Sequence, residues 1–146
     1  MTSWRDSASP EAQDQLDELL NVALEVARRA LEKRGEFFPF AAVIEKTGEL
    51  GVAMTSPDDV GEHPPSPLVI ARYLDELRQR RDQLQASAIA ANATASFGDA
   101  VKVDLEHVEG HALTVLVPYK SKRLRRSIEF GALQAEAGTT QVWTGA

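Results

Sequence analysis

Three histidines, His63, His107 and His111, are the side chains best suited to bind a transition metal or to carry a proton near neutral pH. His107 and His111 belong to the stretch HVEGH, which is neither of the zinc motifs H-E-x-x-H and H-x-x-E-H and falls on a predicted hairpin rather than a helix. With Glu106 or Glu109 the pair could hold a metal, but two histidines without a third ordered ligand rarely form a closed site. We therefore expect two partly exposed side chains near a turn, with no metal and no cofactor.

A basic segment, residues 120–126 with the sequence KSKRLRR, is the second group that could do chemistry. The whole chain has a net charge of −6, so this segment creates a local positive potential on an otherwise acidic protein. Two interpretations are open: a solvated connector between strands, and a contact for an anion or an acidic protein partner. Nucleic acid is disfavoured, because the acidic remainder opposes binding to phosphates and no aromatic residues alternate with the cations. The cations are Lys120, Lys122, Arg123, Arg125 and Arg126.

The other common catalytic and cofactor motifs are missing from the sequence. There is no cysteine, which excludes disulfides and thiol catalysis. The nine glycines form no G-x-G-x-x-G and no P-loop, and no G-x-S-x-G nucleophile motif occurs. The acidic stretch at residues 56–66 lacks the ligand spacing of an EF-hand, so we expect an ordinary solvated loop.

Length and composition indicate one soluble domain. A chain of 146 residues, 43% of them hydrophobic, can bury a core without a disulfide or a metal, so we predict a single domain over residues 1–146. We expect residues 1–9 to be a disordered N-terminus. The first 15 residues lack the basic start and apolar stretch of a signal peptide, and no apolar run approaches about 18 residues. We therefore expect a cytoplasmic protein without membrane contact.

The first third of the sequence predicts a helix followed by a hairpin. Ser9 and Pro10 form a helix start, and apolar residues recur at three- and four-residue spacing up to Gly35, which predicts a helix over residues 10–34. Alternating apolar residues then predict two strands joined by a three-residue loop that ends in Gly48. Matching their apolar faces gives the pairs Phe40–Met54, Ala42–Val52 and Ile44–Leu50.

The middle of the sequence predicts a second helix. Ser66 and Pro67 repeat the start signal, and we place the helix from there to about Gln85. Residues 86–96 allow two interpretations, an extension of this helix or a strand built from small residues, and we favour the strand. The expected buried stripe of the helix is Ile70, Tyr73, Leu74, Leu77 and Leu84.

The last third alternates apolar and polar residues, which predicts antiparallel strands. Matching the apolar faces leaves a three-residue loop that ends in Gly110 and sets His107 opposite His111. Two further short strands are predicted at residues 127–130 and 141–143. The expected strand pairs are Val103–Val115 and Leu105–Leu113.

These elements predict an α+β fold, with two amphipathic helices packed on one face of an antiparallel sheet in the order helix, hairpin, helix, β-meander. The layout is similar to that of profilin-like and roadblock-like folds and of small acidic secretion chaperones. This resemblance is one of element order and rests on no motif. The residues expected in the core are Leu20, Ala27, Phe40, Leu74, Leu77, Leu105, Val115 and Val117.

The function that the sequence favours is a non-catalytic protein–protein interaction module, expected as a homodimer. The sequence contains no nucleophile motif, no set of metal ligands and no cofactor-binding loop. The predicted sheet ends in short strands, which must be covered or paired. The alternative is a small-ligand-binding or enzymatic domain, with a pocket lined by Phe38 and Phe40 beside His107 and His111. A cavity that joins these four residues would favour the alternative.

Overall fold

The computed structural model describes residues 8–54, 66–96, 98–122 and 127–143. These residues form an α+β fold with two α-helices and an antiparallel sheet, as predicted. A short 3-10 turn, Arg81–Gln83, separates the second helix from the strands that follow. Along the chain the elements are α1 (Pro10–Arg34), β1 (Phe40–Glu45), β2 (Leu50–Met54), α2 (Ser66–Arg80), β3 (Leu84–Ala95), β4 (Gly98–His107), β5 (Ala112–Lys122), β6 (Ser127–Phe130) and β7 (Gln134–Ala137).

One seven-stranded sheet organises the molecule. Its strand order is β2-β1-β3-β4-β5-β6, and every described pair is antiparallel. Two short strands share the outer side of β5, since β7 pairs with its first half and β6 with its end. The sheet therefore has β2 at one edge and β6 with β7 at the other.

Helix α1 has the predicted bounds and the predicted caps. The Ser9 hydroxyl accepts a hydrogen bond from the N–H of Ala12 at 3.1 Å, which satisfies one donor of the first turn. Gly35 ends the helix with φ of 76° and donates its N–H to the carbonyl oxygen of Leu31 at 2.8 Å. The apolar stripe of α1 packs on the sheet and forms the larger of two core clusters.

Both predicted hairpins are confirmed in register. The loop residues Gly48 and Gly110 have φ of 94° and 102°, the left-handed conformation that glycine adopts without a Cβ clash. Glu45 N–H donates to the Glu49 carbonyl at 2.8 Å in the first hairpin. The observed pairs include Phe40–Met54, Ala42–Val52, Ile44–Leu50, Val103–Val115 and Leu105–Leu113.

The two helices pack on opposite faces of the sheet, so the expectation that they share one face was wrong. Helix α1 covers the face that contains Phe40 and Ala42. Helix α2 covers the other face, where Tyr73 and Leu77 pack against Val43 and residues of β3. The reason is that β1 and much of β3 are buried on both faces, which requires a covering layer on each side.

Two other predicted boundaries need correction. Helix α2 ends at Arg80 rather than near Gln85, and β3 begins at Leu84, so the strand interpretation of residues 86–96 is the correct one. Residues 141–143 form bends rather than the predicted strand, whereas β7 at residues 134–137 was not predicted. The strand predicted at residues 127–130 is confirmed as β6.

Six of the eight expected core residues are buried, and Leu20 and Leu74 are only partly buried at the margins of the two clusters. The larger cluster lies between α1 and the sheet, and the smaller lies beneath α2. Of the residues expected to form a disordered N-terminus, 1–7 lie outside the described part of the chain. Within the described ranges, no helix is long and apolar enough to cross a membrane.

Candidate functional site

The two histidines of HVEGH meet at the β4–β5 hairpin, as predicted. His107 N–H donates to the His111 carbonyl at 2.9 Å, and the two ring centroids are 6.4 Å apart. The expectation of partial exposure was wrong for His107, whose side chain is fully buried, and it holds for His111. Burial follows from the position of His107 on the sheet face that α1 covers.

Both ring nitrogens of His107 are already used. The Nε2 atom lies 2.7 Å from the Gln15 side-chain oxygen on α1, and the Nδ1 atom accepts the Glu109 backbone N–H at 3.1 Å. These partners assign a neutral ring with its proton on Nε2. Burial lowers the pKa of His107 from its usual 6.5, since a charged ring would lose its hydration there. A metal at His107 would have to displace one of these two hydrogen bonds.

Glu109 links the same hairpin to the start of α1. The Ser9 hydroxyl donates to Glu109 Oε2 at 2.5 Å, and this hydrogen bond lowers the pKa of the carboxyl. The carboxylate lies at the helix N-terminus, where the helix dipole favours a negative charge. His111 Nε2 is 3.5 Å from Glu109 Oε1. The HVEGH stretch thus joins the hairpin to α1, and the described residues contain no cluster of three potential metal ligands.

The phenylalanines do not share a cavity with the histidines. Phe40 is buried and packs edge-on against Phe37, with ring centroids 5.9 Å apart, and Phe38 is half-buried. Phe40 is level with Val103 across β3, four residues from His107 on β4, which corresponds to about 13 Å along a strand. The geometry therefore gives no support to a pocket that joins Phe38 and Phe40 to His107 and His111.

The basic segment begins in the last residues of β5 and continues to the residue before β6. Lys122 pairs with Ser127 at the ends of the two strands, and Lys120 is exposed opposite Glu129. The remaining cations of the segment, Arg123, Arg125 and Arg126, lie outside the described residues, as does the acidic loop with His63.

A polar cavity of about 230 Å³ opens between α2, β4 and residues 137–141. Its charged groups are already paired within the chain, because the Thr114 hydroxyl donates to Asp104 at 2.8 Å and Lys102 Nζ lies 3.8 Å from the same carboxylate. We assign no reaction to this cavity.

A buried carboxylate that the sequence analysis missed holds residues 141–143. Glu106 accepts the backbone N–H groups of Gln141 at 2.9 Å, Val142 at 2.8 Å and Trp143 at 3.0 Å. The Val142 side chain is fully buried beneath α2, and Arg78 Nε donates to the Gln141 carbonyl at 2.7 Å. The apolar pair Val142 and Trp143 is a sequence signal for burial, but its pattern alone predicts a strand.

The second missed feature is the outer edge of β2. Among the described residues only β1 pairs with β2. Hydrogen bonds alternate along an antiparallel ladder, and Glu49 bonds toward β1, so Gly51 and Ala53 do the same. The N–H and C=O groups of the alternate residues Leu50, Val52 and Met54 therefore point outward.

No charge or proline interrupts this edge, whose sequence is LGVAM. Val52 lies at its centre and is 40% exposed, which makes it one of three large apolar residues that the described surface leaves open. A strand edge of this kind can accept another extended chain through its main-chain groups. The sequence carries a signal for this edge, since none of the five residues has the charge or the proline ring that usually protects a sheet edge.

No family model, no curated protein and no solved structure matches this chain, so its geometry alone carries the functional argument.

Proposed function

We propose that this chain is a non-catalytic protein–protein interaction module that binds an extended strand at the outer edge of β2. The observation that carries the proposal is the row of outward main-chain groups on an uncharged five-residue strand. Natural sheets usually protect such an edge with charges, proline, a bulge or a covering element, since an open edge pairs with other chains. An edge that the described residues leave open is best explained by a partner that occupies it.

The opposite edge supports this assignment by contrast. Strands β6 and β7 have four residues each, and they carry Glu129 and Glu136 respectively. Shortness and charge both discourage further strand pairing there. The two edges of the same sheet therefore differ in the features that control association, and β2 is the permissive one.

The test is a backbone substitution that removes the outward N–H of β2. Proline at an edge position is tolerated when its missing N–H faces away from the neighbouring strand, so Val52→Pro should keep the fold and lose the association. The control is Val52→Thr, which keeps the N–H and the β-branched shape. Cross-linking of the purified protein and in cell extract should give products with wild type and Val52→Thr only. The same products from Val52→Pro would contradict the proposal.

The basic segment provides a second proposed contact, for an acidic protein partner. Lys120 is exposed near the end of β5, and the sequence of the segment makes it a positive site on a protein of net charge −6. Opposite potentials speed and orient association between proteins. We do not expect nucleic acid or membrane to be the partner, and we propose a cytoplasmic setting.

Replacing all five cations of the segment by glutamine tests this contact. Exposed charges contribute about 0–1 kcal/mol each to folding, so the melting temperature should hardly change. Sedimentation at low and high salt, with capture of partners from extract, should show weaker and less salt-sensitive association in the variant. Identical captured proteins and identical oligomeric state would reduce the segment to a solvated connector.

The element order also suggests the layout of profilin-like and roadblock-like folds. We propose this likeness for the arrangement alone, and it supplies no argument for function.

A further inference from the structure

We infer that the strand which occupies β2 is the β2 strand of a second copy of this chain, paired antiparallel about a twofold axis through Val52. This inference rests on the proposed function, because it needs the β2 edge to be a binding edge. It adds the identity of the partner, the register and the symmetry.

The outward groups of β2 are symmetric about Val52. Leu50 and Met54 lie two residues to either side, and both direct their main-chain groups outward as Val52 does. In an antiparallel pair centred on Val52, that residue meets Val52 of the second copy, and Leu50 meets Met54 of the second copy. Each such pair exchanges two hydrogen bonds, so the three pairs form about six. Every outward group of the strand then has a partner.

The side chains along the strand permit this approach. Gly51 and Ala53 are small and lie on the α2 face, beside an open groove of about 170 Å³ between β2 and α2. Val52 shares the α1 face with Ala42, and its exposed surface would pack against its own copy at the axis. Because none of the five residues is charged, no like charges are brought together within the strand.

The symmetry also explains why the assembly stops at two chains. Pairing β2 with β2 of the second copy joins the two seven-stranded sheets and removes both permissive edges at once. Among the described strands only the edges formed by β6 and β7 are left, and each of those strands is short and carries a glutamate. A contact that uses the same surface on both copies closes as a dimer rather than growing into a fibre.

A charge-exchange experiment at the axis tests the inference. Val52→Lys and Val52→Glu each place two like charges directly opposite one another in the proposed dimer, which should weaken association at least about fivefold. An equimolar mixture should restore the dimer, because the introduced ammonium then faces the introduced carboxylate. The controls are Leu133→Lys and Leu133→Glu, which change a 49% exposed residue between β6 and β7, at the other edge of the sheet. These should sediment as wild type does.

A cysteine at the axis gives a second measurement that does not depend on charge. The chain contains no cysteine, so Val52→Cys introduces a single thiol. Hydrogen-bonded residues opposite each other have Cα atoms about 5.5 Å apart, which a disulfide can span. Mild oxidation should link Val52→Cys chains into covalent dimers far faster than Leu133→Cys chains.

The outcomes separate this inference from the proposed function. Wild type that stays monomeric up to its solubility limit, or charge variants whose mixture stays monomeric, overturns the second copy as partner in this register. In that case, if Val52→Pro still abolishes cross-links to another protein, the proposal that β2 is a binding edge stands and the second copy alone is refuted. Restored dimers in the mixture, together with the Val52→Cys link, support both.

Discussion

Replacing Glu106 by alanine removes the acceptor of three consecutive backbone N–H groups. The Val142 N–H is buried, so it loses its partner without gaining water, whereas the N–H groups of Gln141 and Trp143 are only partly buried and can be rehydrated. A hydrogen bond to a charged group contributes about 1.5–3 kcal/mol, and an unsatisfied buried donor costs about 1–3 kcal/mol. If the segment stays in place, the expected loss of unfolding free energy is about 3 kcal/mol.

Residues 141–143 can instead detach from the sheet. Detachment sets an upper limit on the loss of unfolding free energy in the Glu106→Ala variant. Detachment exposes the Val142 side chain, and the lost burial costs about 1.5 kcal/mol or more. It also breaks the bonds from Arg78 Nε to the Gln141 carbonyl and from Trp143 Nε1 to the Arg81 carbonyl, at about 0.5–1.5 kcal/mol each. Both routes lead to a loss of about 3 kcal/mol, and only detachment moves Trp143 into water.

Urea denaturation, monitored by circular dichroism, measures the loss of unfolding free energy. Tryptophan fluorescence tells whether residues 141–143 stay in place or detach. The chain has two tryptophans, so a Trp4→Phe background makes Trp143 the sole reporter. The control is Glu136→Ala, an exposed carboxylate on β7, expected to change stability by less than about 0.5 kcal/mol. Equal stability of the Glu106→Ala and Glu136→Ala variants, with unchanged Trp143 emission, would refute the role assigned to Glu106.

Three further predictions concern the core and the histidine pair. Leu77→Ala and Leu105→Ala each delete a buried leucine, so denaturation should show losses of about 2–5 kcal/mol, and changes below about 0.5 kcal/mol at both would contradict the packing. Burial lowers the pKa of His107 below 6.5, so the unfolded chain binds a proton that the folded chain does not. The unfolding free energy should therefore fall as the pH drops below 6.5, and its slope against pH should be smaller in His107→Gln than in wild type. Equal slopes in the two proteins would contradict a buried neutral ring. Calorimetric titration with Zn²⁺ should give no stoichiometric sub-micromolar binding, whereas tight binding lost on replacing His107 and His111 by alanine would reveal a metal site.

Local chemistry made α1 and both hairpins predictable. The cap at Ser9 and the glycine at position 35 set the helix ends, and Gly48 and Gly110 set the loop lengths and hence the registers. These signals act over a few residues and do not depend on the rest of the fold. The spacing of apolar residues along a helix identifies its buried stripe. It does not determine which face of the sheet that stripe covers.

The opposite placement of α1 and α2 has a signal in the sequence of β1. β1 begins FAAVI, an unbroken apolar run, and such runs are typical of strands buried on both faces. Half of the residues of β3 are alanine, which by itself favours helix. The tertiary pairing with β1 and β4 overrides that preference.

The carboxylate of Glu106 could not be placed from the sequence. Glu106 occupies the exposed-face parity of an alternating strand, and its three partners are 35–37 residues away along the chain. Residues 141–143 satisfy their N–H groups through this side chain rather than through a strand ladder, so an apolar pair there imitates a short strand. β7 was missed for the opposite reason, because QAEA is exposed throughout and has no apolar period.

Amide hydrogen exchange along β2 tests the central claim most directly. Gly51 and Ala53 bond to β1, so their N–H groups should exchange slowly at every protein concentration. The N–H groups of Leu50, Val52 and Met54 point outward, so they should exchange rapidly in dilute protein and slow down as the concentration rises and two copies pair. Outward N–H groups that exchange at the same rate across the whole concentration series would contradict association through this edge.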